Sequence, residues 1–157
     1  MKISKGFLIA GLLTVGSLTR LFGHEHGEAL NDQQKAFLRS YENVRAALAA
    51  DDLGAAKTAA TAIKEDENAE ALARSASLAD AREVFKKLSK RAVHLASDHE
   101  GYFIANCPMV KNGEGNWVQT SGKVSNPYFG KSMLTCGSIK PAMAEEKEKP
   151  AEHHHHE

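Results

Sequence analysis

Apolar residues recur at helical spacing over most of the chain. From Asn31 onward, Phe37, Tyr41, Val44 and Leu48 fall at three- and four-residue intervals, one face of a helix that Asn31 or Asp32 can cap. Asp51 and Asp52 break that run and recap it. A second helix then carries Leu53, Ala56, Ala60 and Ile63, alanine-rich enough to pack closely against a neighbour. The polar stretch from Glu65 to Glu70 contains a turn, and Ala69, Leu72 and Ala76 give at most a short third helix. Ser77 to Asp80 reads as a capping arrangement for the clearest period in the chain: Leu78, Ala81, Phe85, Leu88, Ala92 and Leu95. These stripes are core positions.

The pattern changes after Gly101. Tyr102 to Cys107 has the aromatic and apolar content of a strand, and Asn116 to Gln119 reads as its partner across a turn at Lys111 to Gly115. The hairpin's apolar face, led by Phe103 or Trp117, would lie on the helices. Asn126 to Gly130 reads as a turn with aromatic anchors, and Gly137 permits a left-handed exit. The expected fold is mainly α: a small up-and-down helical bundle with a C-terminal β-hairpin and loop motif.

Both ends of the chain differ from this middle. Lys2 and Lys5 precede a short apolar run from Gly6 to Leu18 and a polar break at Thr19-Arg20, the layout of an export signal over residues 1–23. The run is short for a membrane span, which needs about 20 residues; an uncleaved anchor is the other reading. Either way the remainder is expected outside the cytoplasm, periplasmic or secreted, with no membrane association after cleavage. Residues 24–30 form a His-containing segment, residues 31–140 the helical domain with its cysteines, and residues 141–157 a charged, His-rich tail with the composition of disorder.

Charge removes one class of function. The 157 residues carry 20 Lys plus Arg against 20 Asp plus Glu, so no basic excess recruits nucleic acid, and no nucleic-acid-binding motif is present. Catalysis finds little support either: there is no Cys-x-x-Cys pair, no phosphate-cradling Gly-rich loop and no nucleophile elbow. A nucleophilic pairing of Cys107 with His94 lacks an orienting third residue.

The candidate chemistry lies between Tyr102 and Gly137. Both cysteines of the chain are there, each near a methionine. Cys107 and Met109 are two apart, and Met133 and Cys136 three apart, so an extended segment and a helical turn would each aim two sulfurs in one direction. Thiolate and thioether ligands together select Cu(I), whereas thioethers suit zinc poorly. His94 is a further candidate ligand; His99, between Asp98 and Glu100, reads more as a solvated residue. His24 and His26, with a free amine if the signal is removed, and His153, His154, His155 and His156 form weaker candidate sites for Cu(II) or Zn(II).

A disulfide between Cys107 and Cys136 is the competing reading. It would close a loop of about 30 residues and stabilise the fold by roughly 3 to 4 kcal/mol in the chain-entropy model. It needs no metal and leaves the methionines as core filler. A pair that alternates between dithiol and disulfide combines both.

Cys107-Pro108-Met109, Trp117, Asn126-Pro127-Tyr128-Phe129-Gly130, Met133-Leu134 and Cys136-Gly137 resemble an uncharacterised domain family of exported proteins. Its members carry a CPM, W, NPYYG and MLxCG series and also occur fused to periplasmic adaptor subunits of copper and heavy-metal efflux pumps. The resemblance extends over the helices, including Val84 to Ser89. It implies metal handling, with Cys107, Met109, Met133 and Cys136 as ligands and an efflux adaptor or pump subunit as partner. The His-rich ends lie outside that pattern. The alternative from another class is a metal-free, disulfide-stapled helical interaction module of the cell envelope.

Overall fold

The computed structural model describes residues 29–143. The segment expected to be an export signal, His24, His26 and the tail from Ala144 to Glu157, with His153 to His156, lie outside the described residues. Four helices come first: α1 (Asp32–Ala49), α2 (Leu53–Ala60), α3 (Glu67–Ala73) and α4 (Leu78–Ala96). Each begins at a side-chain cap. Asn31 and Gln34 form a reciprocal capping box, Asp52 accepts from the Ala55 amide, Asp66 from the Asn68 and Ala69 amides, and Ser77 from the Asp80 amide. Such caps contribute about 1 kcal/mol each by satisfying amides that the helix leaves unpaired.

The stripes read from the sequence form the core: Phe37, Tyr41, Val44 and Leu48 of α1 and Ala81, Phe85, Leu88 and Ala92 of α4 are buried. α3 ends before Ala76, which is exposed. Among the described residues no helix is long and apolar enough to cross a membrane.

The strand region follows as β1 (Phe103–Asn106), β2 (Asn116–Gln119) and β3 (Ser138–Pro141), in the order β2-β1-β3 with both pairings antiparallel. β1 and β2 are the expected hairpin. Ala105 pairs with Trp117, and Trp117 is fully buried while Phe103 is only half-buried, so Trp117 leads the inward face. β3 was not legible in the pattern, because Ile139 is its one large apolar residue. Pro141, expected to open the tail, is instead the last residue of β3, paired with Phe103, and the Ala142 amide donates to the Tyr102 carbonyl at 2.9 Å. A proline at a strand's edge is tolerated because its missing N–H need not enter the ladder.

An aromatic column ties the sheet to the helices. Phe37 stacks near Tyr41, Tyr41 on Phe85 at 5.0 Å between ring centroids, Phe85 meets Tyr128 at 5.9 Å, and Tyr128 meets Trp117 edge-on at 5.9 Å. The column runs from α1 through α4 to the Asn126–Gly130 turn and β2. Its hydroxyls are used: Tyr41 bonds Ser89 at 2.8 Å and accepts from the Val118 amide, and Tyr128 donates to the Asn116 carbonyl at 2.6 Å. Burial pushes both phenols well above their ordinary value of 10.0, so they stay protonated donors at any physiological pH.

Candidate metal centre

Cys107 leaves the end of β1 and enters a tight turn. Its amide donates to the Gly115 carbonyl, and its carbonyl accepts from the Val110 amide at 3.3 Å. Pro108 and Met109 are therefore the two central residues of that turn, where proline's fixed φ is well suited. A turn's central side chains project outward. Met109 is accordingly 60% exposed, while Cys107 and Val110 on either side of it are buried.

Cys136 closes a second turn of the same span, its amide donating to the Met133 carbonyl at 3.0 Å. Met133 ends a short 3₁₀ helix, Gly130–Met133, and is half-buried; Leu134, at the tip, is exposed. The two turns face one another across the end of the sheet. The Cys107 and Cys136 Sγ atoms lie 3.6 Å apart, both as free thiols, with Cys107 buried and Cys136 half-buried. Access to the pair is from the Cys136 side.

Residues without sulfur set this contact. Asn126 is fully buried and uses its whole side chain: Oδ1 accepts from the Tyr128 and Phe129 amides at 2.8 and 3.2 Å, and Nδ2 donates to the Cys136 carbonyl at 2.8 Å. Its own amide donates to the Leu134 carbonyl at 2.8 Å. The aromatic turn and the Cys136 turn are thus locked together through one amide side chain. Gln119, buried at the end of β2, plays a similar part for the preceding loop, accepting from Trp117 Nε1 at 2.9 Å and donating to the Lys123 carbonyl at 2.6 Å.

A charged node fixes that assembly to the helices. Arg82 of α4 donates to the Pro127 and Leu48 carbonyls and pairs with Asp51, whose other carboxylate oxygen accepts from the Lys131 amide at 3.1 Å. Asp51 holds φ at 58°, a left-handed conformation that Asp tolerates better than most residues. The Arg82 hydrogen bond, helped by the Lys131 amide, lowers the Asp51 carboxyl below its ordinary 3.8. Gly130, at φ +55°, fits here because a Cβ would collide with Asp51 and Arg82. Gly137, at φ +134°, is equally constrained: a Cβ would lie 2.6 Å from the Asn106 carbonyl oxygen and 3.2 Å from the Trp117 ring.

The hydrogen bond to Cys107, with burial adding to it, raises the Cys136 thiol above its ordinary 9.0. The folded pair therefore retains a proton that a bound cation must displace. A metal–thiolate bond of about 2.3 Å would let both sulfurs reach one ion at the present 3.6 Å separation, with an angle of about 100° at the metal. That angle leaves room for further ligands. A linear two-coordinate bridge would need the sulfurs opened to about 4.6 Å by the same bond length.

The other candidates are placed less closely. Met109 points to solvent, Met133 flanks Cys136 within its turn, and His94 is exposed in the last turn of α4. Among the described residues no three His, Cys, Asp or Glu side chains converge as a metal-holding group, so His94 does not join the thiol pair. Sequence reading did not find Asn126 as the clamp on Cys136, nor the Asp51–Arg82 pair. Their signals were an asparagine opening an aromatic turn and a second aspartate beside the helix cap. No family model matches the chain, and no curated protein or solved structure matches it.

Proposed function

We propose that this is an exported protein that captures Cu(I) at Cys107 and Cys136 and passes it on by ligand exchange. Methionine sulfur from Met133 or Met109 completes the coordination. The observation that carries the reading is the contact of two free thiols at 3.6 Å from turns 29 residues apart, held by Asn126 and reachable through half-buried Cys136. Soft, polarisable sulfur suits Cu(I) over harder cations, and the exposed Met109 thioether beside the buried Cys107 thiol offers an incoming ion a first, weak ligand. The four helices serve as a small up-and-down bundle that supports the site, and catalysis forms no part of the reading. The resemblance to the efflux-associated domain family supports a pump or adaptor subunit as recipient.

The test is Cu(I) titration of the reduced chain against a chromogenic chelator, with Cys136→Ser as the comparison. One tightly held Cu(I) per chain, lost in Cys136→Ser, is expected. Equal competition by both chains would overturn the proposal.

The same contact favours a second reading, a structural disulfide in a metal-free envelope module. The sulfurs would need to close from 3.6 Å to about 2.05 Å. Thiol counting on protein recovered from its native compartment separates the two, since a carrier retains reduced, titratable thiols and a staple has none.

A further inference from the structure

Among the described residues two large apolar side chains stand exposed, Met109 and Leu134, and both belong to the turns whose cysteines touch. Met109 is a central residue of the Cys107–Val110 turn and Leu134 of the Met133–Cys136 turn. Met109 offers a sulfur to a metal, but Leu134 has no ligand atom, so holding an ion does not account for its place. Apolar residues scattered singly over a surface need no explanation; two gathered at one chemical site mark a contact surface.

The charge around this end of the molecule is one-sided. From Gly101 to Met143 the chain has Lys111, Lys123, Lys131 and Lys140 against the single acid Glu114. Glu114 is already taken, bonded by Lys90 at 2.8 Å with Lys86 at 4.0 Å, and Asp51, the acid nearest Lys131, is paired with Arg82. Lys123 belongs to the other end of the sheet, where Gln119 holds its carbonyl. The other three are exposed and make no ion pair among the described residues. Lys111 follows Val110, which places its Cα within about 11 Å of that of Cys107, and Lys131 precedes Met133 by two residues, within about 15 Å of Cys136. Lys140 stands two places along β3 from Ser138, which pairs with Asn106 beside Cys107. A small apolar tip is thus bordered by three uncompensated cations.

We propose that Met109 and Leu134, with Lys111, Lys131 and Lys140 around them, form the docking surface for a partner protein whose own sulfur ligands sit in an acidic surface. The proposal rests on the Cu(I)-carrier reading and names the chemistry of the recipient: its acids meet the lysines, its apolar residues cover Leu134, and its sulfur reaches the ion through Met109 and half-buried Cys136. Complementary charge of this kind steers encounter and fixes orientation. A second copy of this chain is disfavoured as occupant, because two such surfaces would set lysine against lysine, and like charges placed together oppose association. An anionic membrane fits less well, since polybasic membrane contacts use clusters of about four to eight cations and a bilayer brings no sulfur to the ion.

The experiment uses the reduced, metal-free full chain, so docking is read without copper and its outcome is separate from that of the Cu(I) titration. The probe is a short synthetic peptide in which methionines alternate with glutamates; a second peptide has lysine in place of each glutamate. Binding is followed through backbone amide resonances. The acidic peptide is expected to shift the amides of Met109, Lys111 and Leu134, and to bind about tenfold or more tightly than its lysine counterpart, as opposite charge at a rim requires. Its binding should weaken sharply between 0.01 and 1 M salt, where the screening length falls from about 30 to about 3 Å. Lys111→Glu combined with Lys131→Glu, both at exposed positions that leave the fold intact, should weaken it about tenfold or more, and Leu134→Ser should weaken it independently of salt. Equal binding of the two peptides, or shifts confined to the helices, would overturn the proposal. So would retention on phosphatidylglycerol vesicles with no binding of the acidic peptide, which would assign the surface to a membrane, or concentration-dependent shifts of the same amides without peptide, which would assign it to a second copy.

Discussion

Asn126→Ala probes whether the thiol contact is built by the buried clamp. The substitution removes three side-chain hydrogen bonds, to the Tyr128 and Phe129 amides and the Cys136 carbonyl. A neutral hydrogen bond contributes about 1 kcal/mol net, and an unpaired buried group costs about 1 to 3 kcal/mol, so a loss of about 3 to 4 kcal/mol is expected. The comparison is Leu72→Ala. Leu72 is fully buried on α3, which packs on α2 and α4, and a buried leucine truncation costs about 2 to 5 kcal/mol. Urea unfolding gives the two stabilities, and chelator competition at low urea gives Cu(I) retention. With similar stability loss, Asn126→Ala should release Cu(I) far faster than Leu72→Ala, because only it frees Cys136. Equal retention in the two variants, or a stability loss under about 1 kcal/mol for Asn126→Ala, would refute the clamp.

Three other outcomes follow from the same geometry. Met109→Leu, at a 60% exposed turn tip, should change stability by less than about 0.5 kcal/mol while weakening Cu(I) retention; unchanged retention would remove Met109 from the ligand set. Asp51→Ala should blunt acid unfolding, because a carboxyl lowered below 3.8 by Arg82 stabilises the fold above that value and loses its contribution as pH falls through the folded pKa; an identical acid limb in parent and variant would count against the node. Cys107→Ala should return the Cys136 thiol toward 9.0 and speed its alkylation at neutral pH, since the thiolate is the reacting form. In the parent, the raised Cys136 value gives a contribution present in full below 9.0 and lost as pH rises through the folded pKa, so the variant's alkaline unfolding limb should be flatter.

The helices were legible because periodicity and caps are local. Phe37, Tyr41, Val44 and Leu48 announce one buried face, and Asn31, Asp52 and Ser77 are the caps the structure uses. The hairpin was legible from its aromatic content. β3 was not, since an edge strand of Ser138, Ile139, Lys140 and Pro141 is held by backbone pairing with β1 and displays little alternation. The cysteines were visible as residues, but their contact spans 29 positions and depends on partners that no local pattern connects. Asp51 reads as a helix breaker; its bond to Arg82, 31 residues away, is a tertiary fact. The exposure of Met109 follows from Pro108 beside it in the turn.

The most direct measurement is X-ray absorption at the copper edge of the Cu(I)-loaded chain with His153 to His156 replaced by alanine. A single copper per chain in an all-sulfur shell near 2.3 Å, about the metal–thiolate bond length, is the result expected if Cys107 and Cys136 hold the ion together. Nitrogen or oxygen as the main scatterer, or copper that fails to stay with the chain, would contradict it.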